Sequence, residues 1–374
     1  MTTVRRTFLK NTVAAGVAVA LPALGLAQNA SSANAPARRF APRPGDWRTF
    51  ELNTRVDLLM PQGASRLWLP IPCVDSDYQR SLESGFSSNG KAQLLSDARS
   101  GASMLYVEFL ASEAQPFAAL TSRVQTQSRA VNWSARQPVR EDADTLKHWL
   151  QPTALVPLDG IVHKTALQAT QGARTEVEKV HAIYNWIVVN TYREPKVRGC
   201  GTGDIKTMLE TGDLGGKCAD LNAVFVGLCR TLGIPARDLY GVRLAPSAFG
   251  YRTLGANPAS LTGAQHCRSE VFLKAHGWVA MDPADVTKVM REETPQWIKS
   301  TRGGVVGPVD RALFGGWEGN WMAYNSAVDV VLPHSSGDPL GFLMYPQAED
   351  AGGRIDPYSP ENFRYRISAK QIQA

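Results

Sequence analysis

The stretch that decides the fold is GGKCADLNAVFVGLCRTLGIPAR, residues 215–237, in which a cysteine follows two glycines and precedes an apolar run. Apolar residues in this run recur every three or four positions, which is the spacing of a helix with one buried face. Gly233 and Pro235 then supply a helix stop signal. We therefore predict a helix that begins near Lys217–Cys218 and buries the face formed by Leu221, Val224, Phe225, Leu228 and Leu232.

The position of Cys218 at a helix start gives its thiol a specific chemistry. Unpaired backbone N–H groups and the helix dipole favour the thiolate there. Gly215 and Gly216 leave room for a substrate beside the sulfur, and Lys217 adds positive charge. The Cys218 N–H can also donate to the oxyanion that develops during acyl transfer. By contrast, Cys229 lies three turns deeper in the helix and is predicted to be buried and inert.

A second stretch, QHCRSEVFLKAHGWVAMD at 265–282, supplies a histidine and a carboxylate. Its pattern predicts two antiparallel strands around a turn at 274–277. With the turn there, His266 and Asp282 become diagonal neighbours on one face, where a carboxylate can orient an imidazole. A register slip of one residue would put them on opposite faces. The pattern alone leaves two alternatives open, a Cys218-His266-Asp282 triad and a structural hairpin beside a buried thiol.

Together these motifs resemble the transglutaminase-like superfamily, in the branch of bacterial proteins regarded as cysteine proteases. The resemblance rests on GGKCADLNAVFVGLCRTLGIPAR, QHCRSEVFL and GWVAMDPAD, three separated motifs in the family's order, and extends from roughly Thr175 to Asp285. It implies a circularly permuted papain-type core in which Cys218 is the nucleophile, His266 the base and Asp282 the orienting acid. It also implies attack on an amide carbonyl through a thioester intermediate, with no cofactor and no metal.

The histidine motif departs from the His-Ala-Trp that is frequent in the family, because Cys267 and Arg268 follow His266 here. Arg268 shares a strand face with His266 by alternation. We expect it either to bind an acidic group of the substrate or to pair with Asp282 or Glu270. Cys267 is interpreted as a small packed side chain, with a role in oxidation of the site as the alternative.

Three further residues lie near these motifs. The family has an additional oxyanion donor upstream of the nucleophile, for which Tyr192 is a candidate, and a plain core tyrosine is the alternative. Asp220 falls in the first turn of the predicted helix, where it would interact with the helix dipole or a loop amide. Arg237 is expected to form an ion pair inside the core. Both charged residues are therefore interpreted as structural.

Strand patterns and helix patterns occupy different parts of the chain. Residues 45–150 contain short, alternating, β-branched segments that predict an antiparallel β-sandwich. Residues 151–296 carry the helical periodicity and the three motifs, with a capping box formed by Thr175 and Glu178. Residues 297–374 are predicted to be a β-rich extension packed on that core. The fold class is accordingly α+β, a papain-like, transglutaminase-like core preceded by a β-sandwich domain.

The N-terminal end of the chain resembles an export signal. Residues 1–27 have a basic start, a short apolar stretch and a small-residue end, and RRTFLK at 5–10 resembles a twin-arginine motif. Residues 28–44 are polar and rich in Pro and Ala, which predicts a disordered linker. We therefore expect a periplasmic or otherwise exported protein without stable membrane insertion. An uncleaved N-terminal anchor is the alternative.

The charge balance gives no indication of nucleic-acid binding. The chain has 40 Lys and Arg against 34 Asp and Glu. Cleavage after Ala27 would remove Arg5, Arg6 and Lys10, which leaves 37 against 34. Runs that interleave basic and aromatic residues are also missing from the sequence.

The cysteine pattern argues against a structural zinc site, because the five cysteines include no CxxC pair. A metal site made by Cys200, Cys218 and His266 is a weaker alternative. The sequence does not determine whether the remaining cysteines form disulfides or in which pairs; these are Cys73, Cys200, Cys229 and Cys267.

From the residues and the resemblance we expect an exported thiol enzyme that hydrolyses amide bonds, a peptidase or amidase. Its substrates would be peptides, proteins or cell-wall stem peptides. Transfer of the acyl group to an amine, as in a transglutaminase, is one alternative, and the absence of a recognisable calcium loop favours hydrolysis over it. The second alternative is a non-catalytic binding protein that keeps the fold. The complete set of triad residues argues against this alternative.

Overall fold

The computed structural model describes residues 38–97, 99–135 and 137–373. The predicted signal peptide at 1–27, and residues 28–37 of the predicted linker, lie outside the described residues. Within the described part the helices are α1 (Ala143–His148), α2 (Gly160–Ala169), α3 (Glu176–Asn190), α4 (Ile205–Thr211), α5 (Cys218–Arg230), α6 (Pro283–Glu292) and α7 (Val306–Leu313). None of these helices is both long and apolar enough to span a bilayer.

The strands of the first half of the described chain are β1 (Arg48–Leu58), β2 (Ser65–Pro70), β3 (Gln79–Ser88), β4 (Lys91–Ser96), β5 (Ser103–Phe109), β6 (Phe117–Thr126), β7 (Arg129–Ala130), β8 (Tyr192–Arg193) and β9 (Gly215–Gly216). The remaining strands are β10 (Ala236–Arg243), β11 (Gln265–Leu273), β12 (Gly277–Met281), β13 (Gly316–Trp317), β14 (Trp321–Asn325), β15 (Val328–Val330), β16 (Leu340–Phe342), β17 (Gln347–Asp350), β18 (Gly353–Ile355) and β19 (Phe363–Ile372).

The predicted β-sandwich is present. One sheet has the strand order β19-β1-β6-β3 and the other β18-β17-β2-β5-β4. Alternating burial along β1 and β6 turns one side of each strand inward, as period-two patterning requires. The two inward faces share one apolar cluster. The first sheet contributes Val56 and Leu120 to it, and the second contributes Leu67 and Val107.

The boundaries of the sandwich differ from the predicted ones at 45–150 and 297–374. The last strand, β19, pairs with β1 along its whole length, with Thr54 opposite Ile367, and β17 pairs with β2. The last strands, β17, β18 and β19, therefore complete the sandwich, whereas β14 of the same predicted extension joins the core sheet beside β10. Alternation in a sequence indicates which face of a strand is buried but not which strand pairs with it. The pairing of β19 with β1 and of β17 with β2 could therefore not be predicted from the local pattern.

The end of the predicted linker is also packed. Phe40 is buried at 5% exposure, and its ring lies 5.0 Å from that of Phe249 and 5.4 Å from that of Tyr251. The Arg38 N–H donates to the Gly304 carbonyl at 3.0 Å. Residues 38–44 thus include an aromatic anchor, and the prediction of a disordered linker is wrong for this part of it.

The helical core surrounds α5, which begins at Cys218 as predicted but is buried on every side rather than on one face, and Leu232 lies beyond its end. α5 is buried along its length and packs on the antiparallel sheet β12-β11-β10-β14, with α3 and α6 against its other sides. α3 begins with the predicted capping box: Thr175 Oγ1 accepts from the Glu178 N–H, and Glu178 accepts from the Thr175 N–H. After α5, Gly233 adopts a φ of 75° and lets the chain turn into β10. The predicted α+β fold class is confirmed.

Candidate active site

Cys218 is the first residue of α5, and it is 4% exposed. The helix starts here because Lys217 is still extended, with a φ of −114°. Asp220 fixes that start, since its Oδ2 accepts from the Lys217 N–H at 2.9 Å. Among the described residues the Cys218 N–H has no acceptor, which leaves it available to a substrate oxygen.

Asp220 also holds the loop that crosses the start of α5. Its Oδ1 accepts from the Thr202 N–H and the Gly203 N–H, each at 2.9 Å. In the same loop, the Cys200 carbonyl accepts from the Ala219 N–H at 2.9 Å. One buried carboxylate therefore joins the loop to the helix start, and the structural interpretation of Asp220 is confirmed.

The β11–β12 hairpin brings His266 and Asp282 together. Ser269 lies opposite Met281, which is the predicted register. His266 Nε2 lies 2.8 Å from Asp282 Oδ2, and both residues are buried. Asp282 is also the N-cap of α6, where its Oδ1 accepts from the Asp285 N–H at 3.1 Å. Because both carboxylate oxygens are engaged, the imidazole is held by a fixed acceptor.

Two buried residues of the site, Asp285 and Arg243, are missing from the sequence predictions. Asp285 Oδ2 lies 3.4 Å from His266 Nε2. Arg243 Nη2 lies 2.6 and 2.7 Å from the two oxygens of Asp285. The DPAD motif could have indicated Asp285, because a helix start puts its two carboxylates near one another. Arg243 comes from β10, and no local motif marks it.

These contacts set the protonation states of the thiol and the imidazole. Burial lowers the pKa of His266, but the Asp285 and Asp282 carboxylates outweigh burial and raise that pKa to about 9. Burial raises the pKa of Cys218, but hydrogen bonds from neighbouring thiols and the charge of His266 outweigh it. The pKa of Cys218 therefore lies well below its ordinary value. The favoured state at neutral pH is a thiolate–imidazolium pair.

Cys218 and His266 line a cleft of about 260 Å³. Three tyrosines from the C-terminal part of the chain contribute to its walls, namely Tyr345, Tyr358 and Tyr365. Three basic residues also line it, namely Arg193, Lys217 and Lys288. The cleft thus joins the core motifs to a segment that the sequence pattern did not connect with the site.

Comparison with known proteins assigns this core to a family. The family model of the transglutaminase-like superfamily matches residues 163–283, a range that contains Cys218, His266 and Asp282. An uncharacterized protein from Haemophilus influenzae is 31% identical over 347 residues, which cover 87% of this chain and 92% of that protein. Residues 163–283 therefore form a transglutaminase-like domain.

Solved structures are similar to this transglutaminase-like protein in fold. The "Putative Cysteine Protease from Cytophaga hutchinsonii" has a TM-score of 0.53 at 15% identity and covers 89% of this chain and 93% of its own. The periplasmic domain of TgpA from Pseudomonas aeruginosa has a TM-score of 0.33 at 18% identity and covers 75% of this chain and 100% of its own. The first of these similarities extends over both the sandwich and the core.

The transglutaminase-like core places Tyr192 and Arg268 outside the predicted substrate-binding roles. The Tyr192 hydroxyl donates to Asp213 Oδ1 at 3.1 Å, and Tyr192 is not part of the lining of the cleft that contains Cys218. Arg268 is buried, its guanidinium packs on the rings of Trp317 and Trp321, and its Nε lies 3.6 Å from Asp282 Oδ2. Arg268 therefore supports the orienting carboxylate, which is one of its two predicted alternatives.

Arg237 forms the predicted ion pair in the core. Its Nη2 lies 2.6 Å from Glu270 Oε2. Arg129 contacts the other oxygen of the same carboxylate. Because Glu270 is buried between two guanidinium groups, this part of the sheet is held by paired charges, and the structural interpretation of Arg237 is confirmed.

The cysteines of this transglutaminase-like chain fall into different environments. Cys73 is exposed, whereas the other four are buried, and all five carry free thiols. The predicted inert residue, Cys229, is fully enclosed, and burial raises the pKa of its thiol. Cys200 donates to the Gln265 carbonyl oxygen and Cys267 to Met344 Sδ, and both thiols influence the pKa of Cys218.

The sequence suggested a metal site made by Cys200, Cys218 and His266. The ligand atoms that lie close enough together to share a metal ion belong to a different set of residues. Within the described residues the convergent set is His266, Asp282 and Asp285, with all ligand atoms within 4.8 Å of one another. Each of the three already has a protein partner at short distance. The geometry therefore favours a hydrogen-bonded network over a shared cation.

Proposed function

We propose that this transglutaminase-like protein is a thiol enzyme that acts on amide bonds. Cys218 is the nucleophile, His266 the general base and acid, and Asp282 the residue that orients the imidazole. The observation that carries the proposal is the 2.8 Å contact between His266 Nε2 and Asp282 Oδ2, in a cleft that also holds a thiol at a helix start. With Nε2 engaged by the carboxylate, Nδ1 is the nitrogen left to exchange a proton with the thiol.

The reaction follows from these positions. The Cys218 thiolate attacks the amide carbonyl carbon, and the resulting oxyanion accepts a hydrogen bond from the Cys218 N–H. The imidazolium of His266 then gives its proton to the leaving nitrogen, the C–N bond breaks, and a thioester remains on the sulfur. A water molecule, deprotonated by His266, attacks the thioester, releases the carboxylic acid and restores the thiolate–imidazolium pair.

Water is proposed as the acyl acceptor, so that the enzyme is a peptidase or amidase. The cleft supports this choice through its basic lining, which includes Lys217 and Lys288. A protonated amine, the form in which a lysine side chain arrives at neutral pH, is repelled by such a lining. Acyl transfer to an amine is the alternative that the test below separates from hydrolysis.

We further propose that the enzyme works outside the cytoplasm, on peptides, proteins or cell-wall stem peptides. The proposal is supported by the signal-like pattern of residues 1–27 and by RRTFLK within it. Cell fractionation followed by N-terminal sequencing tests it. Export predicts a mature protein that begins near residue 28 in the periplasmic fraction, and an intact N-terminus in the cytoplasmic fraction would contradict it.

The activity is tested by incubating the purified chain with a pool of tryptic peptides in water enriched in ¹⁸O. Hydrolysis predicts new peptides whose C-terminal carboxyl carries one ¹⁸O, whereas an added primary amine would appear in the products of a transferase. Cys218→Ala and His266→Ala should each lower product formation by about 100-fold or more, because each removes a group that acts in the transition state.

Cys229→Ala is the matched control, since it removes a thiol from the same helix without touching the cleft. It should keep the activity of the wild type. Circular dichroism on all three variants verifies the fold. Undiminished turnover in folded Cys218→Ala or in folded His266→Ala would refute the proposed site.

A further inference from the structure

The cleft beside Cys218 carries positive charge that the protein itself does not neutralise. Lys288 lies on α6, one turn after Asp285, and lines the cleft in a half-buried position. Among the residues that the structure describes, neither a hydrogen bond nor an ion pair joins the Lys288 ammonium to another side chain. An ammonium that lines a cleft without a side-chain partner can bind an anionic ligand without first breaking an ion pair.

The charged neighbours of Lys288 are already paired with one another. Arg243 lies 2.6 Å from Asp285, and Arg193 Nε lies 3.0 Å from Glu292 Oε1. Lys288 therefore has no ion-pair partner of its own among these neighbours. Burial and the charge of Arg243 lower the pKa of Lys288 to about 8, so the ammonium is mostly protonated at neutral pH.

We propose that Lys288 determines substrate specificity by binding a carboxylate of the amide substrate next to Cys218. This inference rests on the proposed function and names its substrate class, a peptide with an acidic residue at the bond that is cleaved. The cleft volume of about 260 Å³ is at the small end for a ligand site, so the carboxylate must belong to a residue adjacent to the scissile carbonyl. The surrounding tyrosine hydroxyls can add neutral donors to the same group.

Two alkylating reagents test the charge preference without any substrate. Iodoacetate and iodoacetamide transfer nearly the same group to sulfur, and they differ in carrying a carboxylate or a neutral amide. We expect Lys288→Gln to lower the ratio of the iodoacetate rate to the iodoacetamide rate at Cys218 by about tenfold, because a charge-assisted contact is lost. The His266 charge acts equally in both proteins and cancels in this comparison.

Two variants control for effects other than charge in the cleft. Lys288→Arg keeps the cation and should keep the ratio. Lys206→Gln removes an exposed lysine of α4, the partner of Glu210, and should leave the ratio unchanged. A ratio in Lys288→Gln equal to that of the wild type would overturn the proposal, whether the two rates stay the same or fall by the same factor.

A binding measurement tests the proposal independently of thiol reactivity. In the Cys218→Ala protein, calorimetry compares acetyl-glutamyl amide with acetyl-glutaminyl amide, which differ in one charge. The acidic compound should bind about tenfold more tightly, and the added Lys288→Gln substitution should remove the difference. Equal affinities in Cys218→Ala would reject Lys288 as a carboxylate site. Failure of the proposed function is a separate result, namely absent turnover with the binding difference intact.

Discussion

His266 Nε2 lies 2.8 Å from Asp282 Oδ2, although 16 residues separate the two in the chain. The contact depends on two local structures at once. The hairpin register brings the residues to one face, and the N-cap of α6 fixes the second oxygen of the carboxylate. The imidazole thereby receives an acceptor whose position does not depend on substrate.

Removal of the negative charge at Asp282 should impair catalysis more than binding. In Asp282→Asn we expect kcat to fall by about 100-fold or more with little change in KM, because the imidazolium loses its orienting carboxylate. Steady-state kinetics on a cleaved peptide measures both constants. Asp238→Asn, which alters a buried carboxylate bonded to Ser269 on neighbouring strands, serves as the control. A raised KM with an unchanged kcat would contradict the role of Asp282.

Asp285 should act on the pKa of His266. Burial lowers that pKa, and Asp285 is the strongest of the charges that raise it to about 9. Asp285→Asn should therefore move the alkaline limb of the kcat/KM profile, where the imidazolium is lost, from near pH 9 to lower pH. Thermal unfolding should show a loss of about 3–5 kcal/mol, because Arg243 is left buried and unpaired. An alkaline limb that does not move in the folded variant would contradict this role.

The thiol of Cys200 should help to stabilise the Cys218 thiolate. Cys200 Sγ donates to the Gln265 carbonyl oxygen at 3.3 Å, and the neighbouring Cys200 thiol is one of the groups that lower the pKa of Cys218. Cys200→Ala removes this donor and should raise the pKa of Cys218, whereas Cys200→Ser keeps a donor and should raise it less. The pH dependence of Cys218 alkylation measures the effect. Identical curves for the alanine and serine variants would contradict a donor role for Cys200.

The loop over the helix start should tolerate no side chain at Gly201. This residue has a φ of 90°, and a Cβ placed on it would lie 1.8 Å from Asp220 Oδ2. Gly201→Ala should therefore destabilise the fold by about 3 kcal/mol or more, because it adds a buried clash to backbone strain. Denaturant unfolding measures the change.

Gly172→Ala separates the clash from the strain. Gly172 has a φ of 86°, but no atom lies within 4 Å of its added Cβ. Strain alone should lower the free energy of unfolding by about 1–2 kcal/mol. Equal losses in the two variants would mean that Asp220 does not constrain the loop.

The sequence predicted those parts of the site that depend on local periodicity. The apolar spacing and stop signal indicate α5 with Cys218 at its start, and strand alternation around a short turn indicates the register of His266 against Asp282. Both patterns involve residues close in the chain, where a repeat of 3.6 or 2 leaves few alternatives.

The parts that the sequence did not predict depend on distant segments. Arg243 reaches Asp285 from a different strand, and Tyr345 reaches the cleft from the C-terminal part of the chain. The pairing of β19 with β1 is equally distant. Complementary charges and alternating strands have many candidate partners in a chain of 374 residues, and only the assembled fold selects among them.

The pH dependence of Cys218 alkylation shows whether Cys218 is a thiolate activated by His266. Iodoacetamide is applied across a pH series, and mass spectrometry maps the modified residue, with exposed Cys73 as the internal control. We expect Cys218 to react well below pH 8.5, the ordinary thiol pKa, and His266→Ala to move the midpoint of the alkylation curve upward. A midpoint near pH 8.5 in the wild type, or no change in His266→Ala, would contradict this expectation.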